Sequence, residues 1–128
     1  MVNIREGNIL DCKENIIVHQ VNVQGVMGGG VARQLALQYP NLEKEYSEFC
    51  KVYNNNYKEL KGKVFKIMLQ GKFIMNMFSQ AEDFNTDYEA MNKALEEIKQ
   101  YAKSFNLNIA IPYRYWLRNC KRRLEEGL

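Results

Sequence analysis

Two kinds of apolar run alternate along this chain, and the change of period marks its elements. Ile16, Ile17, Val18 and Val21 form a β-branched stretch with little polar interruption, which predicts a strand over 15–21 buried on both faces. Residues 30–39 change to helical spacing and stop at Pro40, and residues 42–53 repeat that spacing with Leu42, Tyr46, Phe49 and Val52 or Tyr53 as the apolar stripe. Val64 to Leu69 and Phe73 to Phe78 flank Gln70-Gly71-Lys72, the pattern of a tight hairpin. Thr86, with Glu89 three residues later, predicts an N-cap and capping box. The helix beyond it carries Met91, Leu95, Ile98 and Ala102 on one face, as core. Short strands are predicted over Val2 to Arg5 and Leu107 to Ile111, the latter closed by Pro112, and Asn54-Asn55-Asn56 reads as a solvated turn. Strands interleaved with helices predict an α/β fold, a three-layer α/β/α sandwich around a mixed sheet.

Composition narrows the class. At 128 residues the chain holds one core, and its 46% apolar share is that of a globular domain. No run is apolar enough to span a bilayer, and the first residues lack the shape of a signal peptide. Cys12, Cys50 and Cys120 are an odd count without metal spacing, so a reduced, cytoplasmic chain without metal or cofactor is expected. The net charge of +3 resides in residues 114–128, which hold five basic and two acidic side chains, whereas residues 1–113 carry 13 of each sign. Nucleic-acid binders concentrate basic charge on the folded surface, so nucleic acid is disfavoured as a partner, as is a membrane.

The chemistry concentrates where the predicted first buried strand gives way to Gly25-Val26-Met27-Gly28-Gly29-Gly30 and then to helix. Amide groups at a helix start lack intrahelical partners, and the helix dipole adds partial positive charge there. Glycines let an anion approach the backbone, so a phosphate-bearing small molecule is the first ligand class to consider. The same run also serves as a plain strand-to-helix connection, and the loop alone does not separate the two. It is not a triphosphatase P-loop, because no Lys-Ser or Lys-Thr follows the glycines, and Arg33 stands where the dinucleotide fingerprint needs its last glycine.

Four segments in order resemble the macro domain, an ADP-ribose-binding module, over residues 1–113. They are Gly7-Asn8-Ile9, Val18-His19-Gln20-Val21-Asn22, Met27 to Ala32, and Ile74 to Gln80. The run from Gly28 to Pro40 is similar to the small stand-alone branch that includes ADP-ribose-1″-phosphate phosphatases and terminal ADP-ribose protein glycohydrolases. The resemblance implies binding of ADP-ribose or a phosphorylated or protein-conjugated derivative, with hydrolysis at the distal ribose in the catalytic members. It places Asn8 and the Ile9 backbone at the adenine, with Asn8 where many members have aspartate. Asn22 falls on the distal ribose as the substrate-orienting residue. The backbone of Gly28, Gly29, Gly30, Val31 and Ala32 falls around the diphosphate, and Phe78, Ser79 and Gln80 on the distal-ribose wall.

No catalytic acid or base is evident. His19, the sole histidine, sits on an apolar strand and reads as a hydrogen-bonded core residue. Glu82, Asp83 and Asp87 cluster after a strand where a base could stand, but such loop charges are usually only solvated, and the lysine with which the glycohydrolase branch attacks the ribose is missing from residues 79–82. The alternative is therefore a non-catalytic ADP-ribose-binding module or a binding-impaired remnant. Beyond Tyr113 the family continues into a second glycine-rich loop, a last helix and a last strand, and the tail 114–128 does not match them. One synonymous-codon spelling of that tail, read one base later, encodes Gly-Ile-Gly-Cys-Gly-Ile-Ala-Lys-Gly, so a frame shift is expected. A family fold without its last strand exposes a sheet edge, which predicts self-association.

Overall fold

The computed structural model describes residues 7–112, and the structural statements that follow concern those residues. The middle layer is a four-stranded sheet in the order β2-β3-β1-β4, with β1 at Ile16–Val21, β2 at Val64–Leu69, β3 at Lys72–Phe78 and β4 at Ile109–Ala110. Strand β1 runs parallel to β3 and β4, and β2 runs antiparallel to β3. The sheet is therefore mixed, as the sequence pattern predicts. Gln70 and Gly71 make the β2–β3 turn with φ of 52° and 79°, and Leu69 pairs with Lys72. Two consecutive positive φ angles match the right-handed strand twist, so the register of the hairpin is set locally.

Alternate residues of β1 and β3 face opposite layers. Ile16, Val18, Met75 and Met77 pack against helix α4 (Tyr88–Phe105), which contributes Met91, Ala94, Leu95, Ile98 and Ala102. Ile17, Val21, Ile74 and Phe78 face helices α1 (Gly30–Gln38), α2 (Leu42–Val52) and α3 (Tyr57–Leu60). Ile16, Ile17 and Val18 are all inaccessible to solvent, so β1 is buried on both faces. Full burial of such side chains contributes roughly 1.5–3 kcal/mol each. Among the described residues no helix is long and apolar enough to cross a membrane.

Several local expectations change. The α2 stripe keeps Leu42 and Tyr46, with Phe49 and Tyr53 packed at its margin, but adds buried Cys50 and leaves Val52 75% exposed, because four-residue steps from Leu42 reach Cys50 and leave Val52 on the outer face. The three asparagines are more than a solvated turn: Asn56 caps α3 by accepting from the Lys58 amide, and Asn55 donates to the Val23 carbonyl at 2.7 Å. The strand read over 107–111 pairs only at Ile109–Ala110. The N-cap of α4 is Asp87, not Thr86. Its carboxylate accepts from the Ala90 amide at 3.1 Å, whereas Thr86 is drawn into a bridge with Gln80 and its hydroxyl meets the Gln20 side chain. The strand expected over Val2 to Arg5 and the tail 114–128 lie outside the described residues.

Asp87 also accepts from the Tyr57 hydroxyl at 2.7 Å and pairs with Lys61 at 3.4 Å. Replacing a capping carboxylate by alanine costs about 1–2 kcal/mol. Asp87→Ala is therefore expected to lower the urea midpoint clearly and Thr86→Ala much less. Equal losses in the two variants would return the cap to Thr86.

Candidate functional site

Register places the site. Val21 at the end of β1 lies opposite Phe78 at the end of β3, so the loops that follow, residues 22–29 and 79–87, leave the sheet side by side. The Gln80 amide contacts the Val21 carbonyl at 3.4 Å, and the Asp87 amide donates to the Ser79 carbonyl at 2.7 Å. Ligands of open α/β sheets bind at this carboxyl end.

The first loop delivers the start of α1. Gly29 is its N-cap residue and, having no side chain, makes no capping hydrogen bond. The first intrahelical bond is Arg33 N–H to Gly29 C=O at 3.1 Å, so the amides of Gly30, Val31 and Ala32 have no partner among the described residues. No acidic residue occupies the first turn. Gly30 has φ +58°, in the left-handed region that disfavours side chains, and a Cβ placed on Gly28 or Gly29 would meet no atom within 4 Å. The result is an open, acid-free set of amide donors at a helix start, suited to an oxyanion.

Helix α2 and the turn after it hold this loop from behind. The Glu43 carboxylate accepts from the Met27 amide at 2.6 Å. The Tyr46 hydroxyl reaches the main-chain oxygen of Asn22 at 2.5 Å and its Oδ1 at 2.9 Å, and Asn55 reaches the Val23 carbonyl. Gly25, at φ +81°, lies so close to α2 that a Cβ there would stand 3.0 Å from Ser47 Oγ. The sequence pattern places Tyr46 on the core stripe and Asn55 in a solvated turn, and gives Glu43 no role. Their spacing from the loop carried no local signal.

The other expected site residues divide. Asn8 caps a short 3-10 turn, Ile9–Asp11, accepting from the Leu10 amide at 3.0 Å, and Ile9 and Leu10 rest on the α1–α2 core. The turn lies beside α1, on the same layer as the glycine loop. The Phe78 and Ser79 side chains are wholly buried: Phe78 stacks on Phe49 with centroids 5.7 Å apart, and Ser79 donates to Gln20 Oε1 at 3.1 Å. Gln80 is half-buried, so of the three it alone presents a side chain toward solvent. Asp83 is turned back on Asn85, whose main-chain and side-chain N–H groups hold its carboxyl below the ordinary range. For Asp87, burial alone would raise the carboxyl, but the hydrogen bonds from Tyr57 and Ala90 and the Lys61 ammonium bring it below its ordinary value. A shallow depression on the outer side of α4, lined by Glu89, Lys93 and Glu96, is on the opposite layer from the loop.

His19 is fully buried, as its apolar strand predicts, and its Nε2 stands 2.6 Å from Asn76 Oδ1. Asn76 spends its amide donors on the Phe65 and Ile74 carbonyls, so Oδ1 accepts and Nε2 carries the proton. Nδ1 has no partner among the described residues. Burial lowers the imidazole to about 4, with the Asn76 hydrogen bond opposing.

An α/β sandwich with an uncapped helix start at the carboxyl end of its parallel strands defines a class of small-anion sites, and comparison with known proteins narrows it. No protein-family model matches the chain. It is 49% identical over 53 residues to an ADP-ribose 1″-phosphate phosphatase from Saccharomyces cerevisiae, a match covering 40% of this chain and only 30% of that relative's length. In structure it is similar to the macrodomain of Mycobacterium tuberculosis DarG, with TM-score 0.74 and 25% identity over 88% of this chain and 75% of that one. A Thermosipho africanus DarTG in complex with ADP-ribose superposes with TM-score 0.70 and 20% identity, over 84% of this chain and 31% of that one. The chain thus has the macrodomain fold.

His19 sets a pH dependence. An unfolded histidine takes its proton near 6.5 and the folded one only near 4. Between those values the unfolded state binds more protons, so stability falls as pH is lowered, by about 3 kcal/mol in all. Urea midpoints should decline across that window, and nitrogen spectra at about pH 5 should show a neutral Nε2–H imidazole. A charged imidazole at that pH in the folded protein would contradict the buried arrangement.

Proposed function

We propose that this chain binds ADP-ribose, or ADP-ribose carrying a phosphate or attached protein on its distal ribose. The observation that carries the reading is the set of unpaired amides at Gly30, Val31 and Ala32, in a helix turn without acidic residues, at the end of the loop that Asn22 begins. In this reading the diphosphate takes the amides of the glycine loop and helix start, and the distal ribose takes Asn22. The Asn8–Ile9 turn takes the adenine, and the strand end at Phe78, Ser79 and Gln80 closes the ribose side through its main chain and Gln80. An asparagine oxygen at position 8 accepts without charge, so its adenine contact is weaker than a carboxylate's.

The match to a phosphatase of ADP-ribose 1″-phosphate makes that compound the first substrate to test for turnover. With no lysine in residues 79–82, the hydrolysis compatible with this chain has water as nucleophile, Asn22 as orienting group and the loop amides as stabilisers of developing charge. The alternative is a non-catalytic binding module.

Calorimetric titration of ADP-ribose tests the binding. Gly29 has φ −156° and no neighbour within 4 Å of a built Cβ, so Gly29→Glu adds a carboxylate to the site without backbone strain. The variant is expected to keep its melting temperature and lose at least about tenfold in affinity through charge repulsion at the helix start. Unchanged affinity would sink the site. Binding that appears only when the alternative frame beyond Tyr113 is restored would identify the present chain as the impaired form.

Phosphate release from ADP-ribose 1″-phosphate separates enzyme from module. Under the hydrolase reading, Asn22→Ala lowers the rate by at least about tenfold. A wild-type chain that binds ADP-ribose and releases no phosphate is a module.

A further inference from the structure

The environment of Asn22 is unusually determined for a residue on a loop. Its Oδ1 accepts from the Gln24 amide at 2.8 Å and lies 2.9 Å from the Tyr46 hydroxyl, which also reaches the Asn22 main-chain oxygen at 2.5 Å. The hydroxyl has one proton, shared between these two acceptors. Rotating the amide by half a turn would set Nδ2 against the Gln24 N–H, donor against donor, so one orientation alone is satisfied. Nδ2 is then the remaining group, and among the described residues it has no partner.

Tyr46 cannot follow a change at Asn22. Its ring is inaccessible to solvent, with Phe78 at a centroid distance of 6.0 Å, and it stands on α2, whose Glu43 grips the same loop at Met27. Burial also drives the phenol far above its ordinary range, with Cys50 adding to the effect, so the hydroxyl remains a donor.

We infer that Tyr46 is a positioning residue, fixing the Asn22 carboxamide so that Nδ2 offers only N–H donors to the ligand, and thereby selecting a distal sugar that presents an oxygen acceptor. A free asparagine accepts or donates as the ligand requires, whereas a fixed one pre-selects acceptors such as a ribose hydroxyl lone pair or a phosphoryl oxygen. This inference rests on the reading of the site as one for ADP-ribose.

The test is a double-mutant cycle on the full chain, with wild type, Tyr46→Phe, Asn22→Ala and the double variant titrated with ADP-ribose and, separately, with ADP, which lacks the distal ribose. Tyr46→Phe is expected to weaken ADP-ribose by about five- to tenfold, the scale of one hydrogen bond, and to weaken ADP, which senses only the anchor at the Asn22 main-chain oxygen, much less. In the Asn22→Ala background, where the hydroxyl keeps only that main-chain bond, the same substitution is expected to cost ADP-ribose no more than it costs ADP. Equal weakening of both ligands in the wild-type background, no weakening, or a loss without the Asn22 side chain as large as with it would each overturn the inference. If wild type binds neither ligand, the ADP-ribose reading has failed on its own account. The ligand-free protein then decides: the Asn22 side-chain amide should be ordered in wild type and mobile in Tyr46→Phe by nitrogen relaxation, and equal mobility would refute the positioning role.

Discussion

Strand β1 is packed on both faces and paired on both edges, so it has no side on which an error of register can be absorbed. A slip by one residue would turn Ile16 and Val18 toward the α1 layer and bring Ile17 under α4. Against β3 the alignment runs unbroken from Ile16 opposite Phe73 to Val21 opposite Phe78. Both loops of the candidate site begin where that ladder ends. Their proximity is therefore a consequence of hydrophobic burial deep in the sheet, not of any attraction between the loops.

Within the candidate site, rigidity and open hydrogen-bond donors come from different elements. Helix α1 contributes a start at Gly29 and Gly30 that carries no side chains, which leaves its first amides unpaired among the described residues. It contributes little to holding them, because glycines do not pack. Helix α2 supplies that hold through Glu43 and Tyr46, and the turn after it adds Asn55. A glycine-rich loop left unsupported would lose much of its binding energy in ordering. Here the loop backbone is tied at Asn22, Val23 and Met27 before any ligand arrives.

The one buried polar pair that spans β1 and β3, His19 with Asn76, sits in the same ladder. It is satisfied on the Nε2 side and bare at Nδ1. A hydrogen bond across two strands favours this register over neighbours in which either group would be stranded, because an unpaired buried polar group costs about 1–3 kcal/mol. The pair thus reinforces the alignment that hydrophobic burial already prefers, and it ties the fold to the neutral form of the imidazole.

Much of the architecture was legible along the chain because it is decided within a few residues. The β-branched run of β1, the Gln70-Gly71 turn, the stop at Pro40 and the glycine loop opening α1 each follow from local sterics and periodicity. What escaped sequence reading was decided by partners distant in the chain. Thr86 has the right chemistry for a cap, but Gln20, 66 residues away, engages its hydroxyl, and Asp87 takes the role. Phe78 and Ser79 have the right place in a motif, but alternation along β3 and the aromatic cluster of α2 turn Phe78 inward, and Gln20 takes the Ser79 hydroxyl. Tyr46 falls on an apolar stripe, and only its contact with Asn22 across 24 residues gives its hydroxyl a function. The sequence by itself determined which segments become strand, turn and helix, and where the chain can expose bare amides, because those depend on neighbours along the backbone. The tertiary structure alone decided which polar side chains are spent holding the loop and which are left at the surface of the candidate site, because each can serve only the partners that the packing brings within hydrogen-bonding distance.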